Sequence, residues 1–434
     1  MKFYNIIIFS ILLFFISSVG SIAYAQTGLL SPYSSAGLFG IEMSYLNSRS
    51  AGMGGTVMGL AGSGSANPFN PASYRLGVDT MSVAFHVGMN LGLVSLKQER
   101  DGNMIKNQGT TGGLSNLEFY FPVFKWWKMG VFLLPVTEVA YASSSFNDER
   151  MDTAHIGRTQ LIHTGSGGLN RVGWGNAFGW GPISVGLNLN YVFGRVEELD
   201  RLGFLTDTLA MYASETYYSR AVSYNGLGID AGLQYVQPLG SKGRLIVGAS
   251  YSMSALLKGK STAIITGEGM SSSSTYVDTV RVYSAENINA SYPSVLRTGI
   301  AYEQYGKFLL GADFSCSWWS EQAGQMPPLA TYRASLGAEM LSDLRSNFWM
   351  RRLSYRIGAN WQTYNYEYKG KQVSGFGISA GIGIPIRKSR SNIYVFGEYS
   401  RMGSLSAGQI EQNTGRIGIS FSSVETWFVK RKYD

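Results

Sequence analysis

Apolar and polar residues alternate strictly along most of the chain. In PISVGLNLNYVF, residues 182–193, Ile183, Val185, Leu187, Leu189, Tyr191 and Phe193 form one set, with Ser184, Gly186, Asn188 and Asn190 between them. NGLGIDAGLQY, residues 225–235, sets Leu227, Ile229, Ala231, Leu233 and Tyr235 against Gly228, Asp230, Gly232 and Gln234. Tyr332–Met340, Tyr355–Gln362, Phe376–Ile384 and Arg416–Ser422 follow the same rule. A period of two means strands with one face in an apolar phase and the other in a polar one. The pattern predicts about fourteen strands. They lie near 79–97, 113–123, 128–143, 162–179, 182–196, 218–237, 243–257, 290–304, 307–318, 330–341, 353–366, 372–386, 391–402 and 412–424. Short breaks (Phe124–Lys128, Gly179–Pro182, Pro238–Gly243, Tyr305–Lys307, Arg387–Ser391) alternate with long ones (Lys97–Gly113, Ser144–Ile162, Glu197–Tyr218, Leu257–Ala290, Trp318–Ala330). A soluble sandwich also alternates, but long strands joined by short and long connections in turn are the signature of a transmembrane antiparallel β-barrel. The fold class is therefore all-β, with the short turns periplasmic. Leu341–Arg352 is long for such a turn.

The N-terminus departs from this pattern. Lys2, an apolar run and Ala23-Tyr24-Ala25 before Gln26 read as a secretory signal, residues 1–25, whose apolar run is too short to span a bilayer as a helix. No lipobox cysteine accompanies it, and the later chain carries no apolar run of spanning length. The single Cys316 excludes an intramolecular disulfide framework. A net charge of +8 spread along the chain leaves no basic patch for nucleic acid. These readings predict a barrel over residues 79–424 in the outer membrane of a Gram-negative bacterium, with outer-membrane lipid around it and a periplasmic tail at 425–434.

If the apolar set faces lipid, the other set lines the lumen. It includes His86, Glu118, Asp230, Arg297, Glu303, Asp313, Arg333, Glu339, Arg356, Glu398 and Arg416, both signs interleaved, which suits internal ion pairs better than a one-sign pore. It is also rich in glycine, which in a strand marks close approach by another backbone. A barrel of this size has room inside, and residues 26–78 remain unused by strands. The Gly/Ala-rich stretch with Asn67-Pro68 and Asn70-Pro71-Ala72 is thus read as a plug folded inside the barrel, with a short helix opening at Ser48.

The order signal peptide, SRSAGMGGTVMGLA at 48–61, NPFNPASY at 67–74 and LEFYFPVFK at 117–125 resembles FadL/TodX-type outer-membrane barrels, in particular their Bacteroidota branch, as does GSGGLNR at 165–171. The resemblance implies fourteen strands, an N-terminal hatch and, at Asn70-Pro71-Ala72, the hatch motif before the first strand. It implies passive uptake of small hydrophobic compounds, of fatty-acid or aromatic type, or alternatively a non-transporting accessory barrel in an outer-membrane protein secretion or assembly complex. It also implies a lateral gate at a kink in the third strand, for which Pro135 is the candidate because proline withholds a ladder donor; a bulge that only re-aims the strand is the other reading. Met53, Met58, Leu60 and Phe69 are the candidate apolar ligand contacts, or the core of the plug. The long segment Leu257–Ala290, rich in Ser, Thr and Gly, lacks the amphipathic pattern a ligand-gathering loop would need.

Chemistry beyond binding finds little support. His86 sits mid-strand, and His155 and His163 flank a loop with no acid at triad spacing, so no enzyme, cofactor or resident metal is expected. Asp148, Glu149 and Asp152 could hold a hard cation. Glycines 52–64 lack the strand and spacing of a dinucleotide loop. The tail from Trp427 reads as an interfacial anchor or a docking segment.

Overall fold

The structure, a computed structural model, describes residues 31–35, 37–43, 47–62, 64–100, 102–146, 159–204, 215–270, 275–320, 329–368, 370–386 and 389–427. Eighteen strand segments form one sheet. One of them is an inner two-residue strand, Ile41–Glu42. Three pairs are halves of single strands, which leaves a closed antiparallel transmembrane barrel of fourteen. They are β1 (Ser82–Arg100), β2 (Asn103–Pro122), β3 (Trp127–Pro135 and Thr137–Phe146), β4 (Thr159–Trp180) and β5 (Ile183–Phe204). Next come β6 (Glu215–Leu239), β7 (Gly243–Ser252 and Ala255–Met270), β8 (Thr275–Tyr292 and Ser294–Gln304), β9 (Phe308–Trp318) and β10 (Thr331–Met340). The last are β11 (Ser354–Tyr368), β12 (Lys371–Pro385), β13 (Asn392–Met402) and β14 (Glu411–Thr426). The ring closes where β14 pairs with β1, from Glu411↔Lys97 to Thr426↔Ser82. The β8 interruption is at Pro293, which cannot donate to a ladder.

Side chains follow the alternation. On β5, Leu187 and Leu189 are half exposed on the outside while Asn188 and Asn190 are buried inside. Exposed apolar residues facing outward and polar ones facing inward are what lipid on one side and a filled lumen on the other require. At the short-turn end Phe124, Trp126, Trp127, Phe178 and Trp180 stack on one another, the aromatic girdle of a membrane interface.

The strands run further than the alternation predicts. The expected loop Lys97–Gly113 is almost entirely ladder, closing at Arg100↔Asn103, and Leu257–Ala290 pairs from Ala255↔Tyr292 to Met270↔Thr275. Glu197–Tyr218 likewise belongs mostly to β5 and β6. Both faces of Asn103–Gln108 are exposed, and along Ala255–Ala263 the buried set includes Gly259, Ser261 and Ala263 while Lys258 and Lys260 point out, so the apolar–polar contrast is lost while the ladder persists. Residues 147–158, with Asp148, Glu149, Asp152 and His155, lie outside the described residues, as do 1–30 and 428–434.

Candidate functional site: the lumen and the seam beside Pro135

The inner segment is shaped by its own polar side chains. Asn47 starts the short helix Ser48–Ala51 by accepting from the Ser50 N–H at 3.0 Å, and Ser50 Oγ accepts from the Asn47 N–H in return. In the Asn-Pro knot Asn67 Oδ1 accepts from the Asn70 N–H at 2.9 Å, and Asn70 Oδ1 from the Ala72 N–H at 3.2 Å. Pro71 opens the 3-10 turn Pro71–Ser73, where a missing N–H costs nothing, and the helix Tyr74–Gly77 follows. Asn67, Asn70, Pro71 and Ala72 are all buried.

The knot and helix are tied to inward-facing residues around the ring. Asn188 on β5 donates to the Pro68 carbonyl at 2.8 Å and accepts from the Tyr74 hydroxyl at 2.8 Å. Gln234 on β6 donates to the Leu60 carbonyl, and Arg244 on β7 to that of Ala61. Asp313 on β9 accepts from the Val57 and Met58 N–H groups at 2.6 and 2.9 Å. Arg333 on β10 donates to the Gly54 carbonyl, and Ser379 Oγ on β12 accepts from the Gly54 N–H. Bonds to strands on opposite sides of a closed ring put the segment across its interior. Glycine makes room for it: a β-carbon at Gly358 would run into the Met53–Gly54 peptide, and one at Gly248 into the Met58 carbonyl.

Many of the inward charges are paired. Glu339, buried, bridges Arg49 of the helix at 2.8 Å and Arg356 of β11 at 3.0 Å. Asp230 takes Arg171 at 3.3 Å and Asn190 at 2.8 Å. Glu118 takes His86 at 3.0 Å, Asn116 and the Tyr120 hydroxyl. Arg416 faces Glu398 at 3.5 Å, Arg244 meets Glu303 at 2.7 Å, and Arg297 reaches Glu42 at 3.8 Å. Burial pushes the Glu42 carboxyl up, against the pull of Arg297, Arg333 and Arg171.

Met53 packs with Leu60, Ile246 and Leu309, and Met58 with Phe132 and Leu134. These three candidate contacts are thus taken up by packing between inner segment and wall. Phe69 borders open space, with the Arg171 and Arg297 guanidinium carbons 5.8 and 4.7 Å from its ring centroid, and Met58 touches the smaller of the two cavities beside it. Two cavities border this ring. One, of about 70 Å³, is lined by Glu42, Arg297, Arg333, Gln362 and Tyr364, and one of about 40 Å³ by Met58, Asp313 and Arg333. A third, of about 80 Å³, lies among Glu42, Glu138, Glu398, Arg401 and Arg416. All mix charged with apolar lining residues and are far smaller than the roughly 300 Å³ or more of a small-molecule pocket.

Pro135 sits where β3 parts from β2. The β2–β3 ladder ends at Leu117↔Leu133. Pro135 still registers with Asn170 of β4, and the Val136 N–H donates to the Leu169 carbonyl at 2.8 Å, so the break leaves the β4 side intact. The edge that β3 turns away from β2 is taken by the inner strand, Ile41↔Glu138 and Glu42↔Thr137, and by the Met43 N–H on the Val136 carbonyl. Gly167 and Gly168 of β4, at φ +113° and +145°, accommodate the bend; a side chain at Gly168 would strike the Thr137 carbonyl. A cavity of about 340 Å³ opens here among Met43, Leu114, Leu133, Pro135, Glu138 and Arg195. The sequence flagged the proline and the GSGG run separately. Their meeting across β3 and β4, and the parts of Glu42, Glu138 and Arg171, follow only from the register.

A family model for BamG matches residues 6–434. The chain belongs to the BamG family. No curated protein matches the sequence of this BamG-family chain. Among solved structures it is similar to the Pseudomonas putida toluene transporter TodX, at 16% identity over 90% of this chain and 100% of that one, with a TM-score of 0.57. A Pseudomonas aeruginosa FadL homologue gives 13% identity over 89% and 99%, with a TM-score of 0.55. At such identities the likeness establishes the FadL-type barrel fold for this BamG member and nothing finer.

Proposed function

We propose that the chain is an accessory, non-transporting FadL-type barrel of the Bacteroidota branch, a subunit of an outer-membrane protein assembly or secretion complex. It would be exported by a cleaved signal peptide, with short turns and tail in the periplasm and residues 26–78 as a resident plug. The observation that carries the reading is the filled lumen. Hydrogen bonds from β5, β6, β7, β9, β10 and β12 hold the inner segment, and the cavities left beside Phe69 are small and charged. Membership of the BamG family, rather than likeness at low identity to transporters, adds support. No catalytic step, cofactor or metal is part of this role.

One observation favours a second reading, passive passage of small hydrophobic compounds with lateral exit: the seam beside Pro135 and its cavity. Purification of the tagged full chain in mild detergent decides between them. The accessory role predicts stoichiometric co-purification of other outer-membrane proteins, and loss of such a partner when residues from Trp427 onward are trimmed. A chain that purifies alone under every mild condition, yet restores uptake of a hydrophobic compound, overturns it.

A further inference from the structure

The outward wall of the barrel is not uniform. On β4–β6 most paired positions are large, with Trp174 opposite Leu189, Leu189 opposite Ile229 and Tyr191 opposite Leu227, all strongly exposed, and Leu187 opposite Ala231 is a small step among them. On β9–β13 large and small residues alternate instead. Leu310 faces Ala338, which faces Ile357, which faces Ala380, which faces Gly397. One step along, Leu336 faces Ala359, which faces Ile378, which faces Tyr399. The result is a shallow apolar depression of about 800 Å³ floored by alanine and glycine. Fluid lipid tails gain nothing from such a floor, since they fill any contour. A rigid wall does gain, because in a bilayer association rests on close van der Waals packing and small residues allow it.

The short-turn connection beneath this depression is the long one, residues 341–353. Its 3-10 turn Trp349–Arg352 buries no residue, and Leu344, Phe348, Trp349 and Met350 are all exposed. The turn leans to the outside of the ring, because the Met350 carbonyl accepts from the hydroxyl of Tyr355, whose strand neighbour on the same face is Ile357. It carries Arg345, Arg351 and Arg352 against the single Asp343. Depression and ledge are therefore continuous on one face of β11. Arginine and bulky aromatics are the residues that dominate interfaces, and a cationic ledge selects an anionic counterpart.

We propose that the β9–β13 wall and the 341–353 turn form one docking face for a second, different transmembrane β-barrel. That barrel's lipid-facing wall seats on the alanine–glycine floor, and its acidic periplasmic part lies against the arginine ledge. This rests on the accessory-barrel reading above. It adds the side of the barrel that is used and the chemistry of the partner.

The test is site-specific photocrosslinking of the full chain in its native membrane, with a benzophenone residue at Ile357, at Ile378 or, as the opposite-wall control, at Leu189. The expected result is an adduct from Ile357 and Ile378, absent from Leu189, with a protein that migrates heat-modifiably as a barrel and has an acidic periplasmic part. The variant Ala359→Trp, and separately Arg345→Glu with Arg351→Glu, should lower that adduct about tenfold, equivalent to about 1.4 kcal/mol, while the chain itself still inserts and stays heat-modifiable. Adducts from Leu189 alone overturn the assigned face and leave the accessory role standing. Adducts only with a second copy of this chain, or adducts that persist undiminished in both variants, also overturn it. No protein adduct from any position, together with purification as a lone chain, overturns face and accessory role alike.

Discussion

Glu339 is the residue on which the inner helix turns. It is a strand residue 3% exposed, and it faces two guanidinium groups from different elements, Arg49 inside and Arg356 in the wall. Glu339→Gln keeps the shape and removes the charge, leaving the buried Arg356 and the half-buried Arg49 without their carboxylate. Breaking such an arrangement costs about 3–5 kcal/mol. The loss should fall on the seating of residues 47–62 rather than on the barrel, whose ladder is untouched. The expected outcome is faster proteolysis of the inner segment in detergent with heat-modifiable migration unchanged. An unaltered cleavage rate would mean that the Asp313 and Arg333 bonds to the inner backbone hold the helix unaided.

At the scale of elements, β3 is the interrupted strand that parts from its neighbour at the seam, and three features share the departure. Pro135 lacks a donor, Gly167 and Gly168 of β4 adopt conformations closed to other residues, and the inner strand occupies the vacated edge. Pro135→Val restores a donor and a strand-favouring side chain, but it leaves the other two in place. The expected outcome is therefore a normally inserted barrel that still co-purifies its partners. A several-fold fall in uptake of a hydrophobic compound in that variant, measured on whole cells, would instead support exit through the seam.

For the whole molecule the decisive relation is between ring and filling. Inward glycines at positions such as 248 and 358, and polar side chains from most strands, are complementary to a backbone rather than to water or a solute. Deleting Gln26–Tyr74 should leave a barrel that conducts ions readily in planar bilayers, whereas the full chain conducts poorly. Equal conductance of the two would mean that the inner segment does not obstruct the lumen. Conduction by the shortened chain would also explain why the charges lining the wall are mixed in sign. They are arranged to pair with one another and with the segment, as Arg416 does with Glu398 and Glu339 with Arg49, and not to select an ion.

The sequence by itself determined the strand character, the number of strands and which face each side chain takes, because a period of two separates a lipid-facing from a lumen-facing set wherever the wall meets the bilayer. It also singled out the Asn-Pro knot, since proline and asparagine impose turns through local bonds that need no distant partner. It could not delimit the long hairpins, because both faces of Asn103–Gln108 are exposed and the buried face of Ala255–Ala263 carries Gly259, Ser261 and Ala263, so the alternation carries little contrast. Only the tertiary structure decided which inward charges meet. Glu339 lies 290 positions from Arg49, and the register of β10 beside β11 sets Arg356 on its other side. The same holds for the seam, where Pro135 and, two residues on, Thr137 against Gly168 come together because β3 and β4 pair in one particular register, and for the alternating floor on β9–β13. Each of these is a relation across strands, fixed by ladder register, and a single strand's sequence has no term for its neighbour.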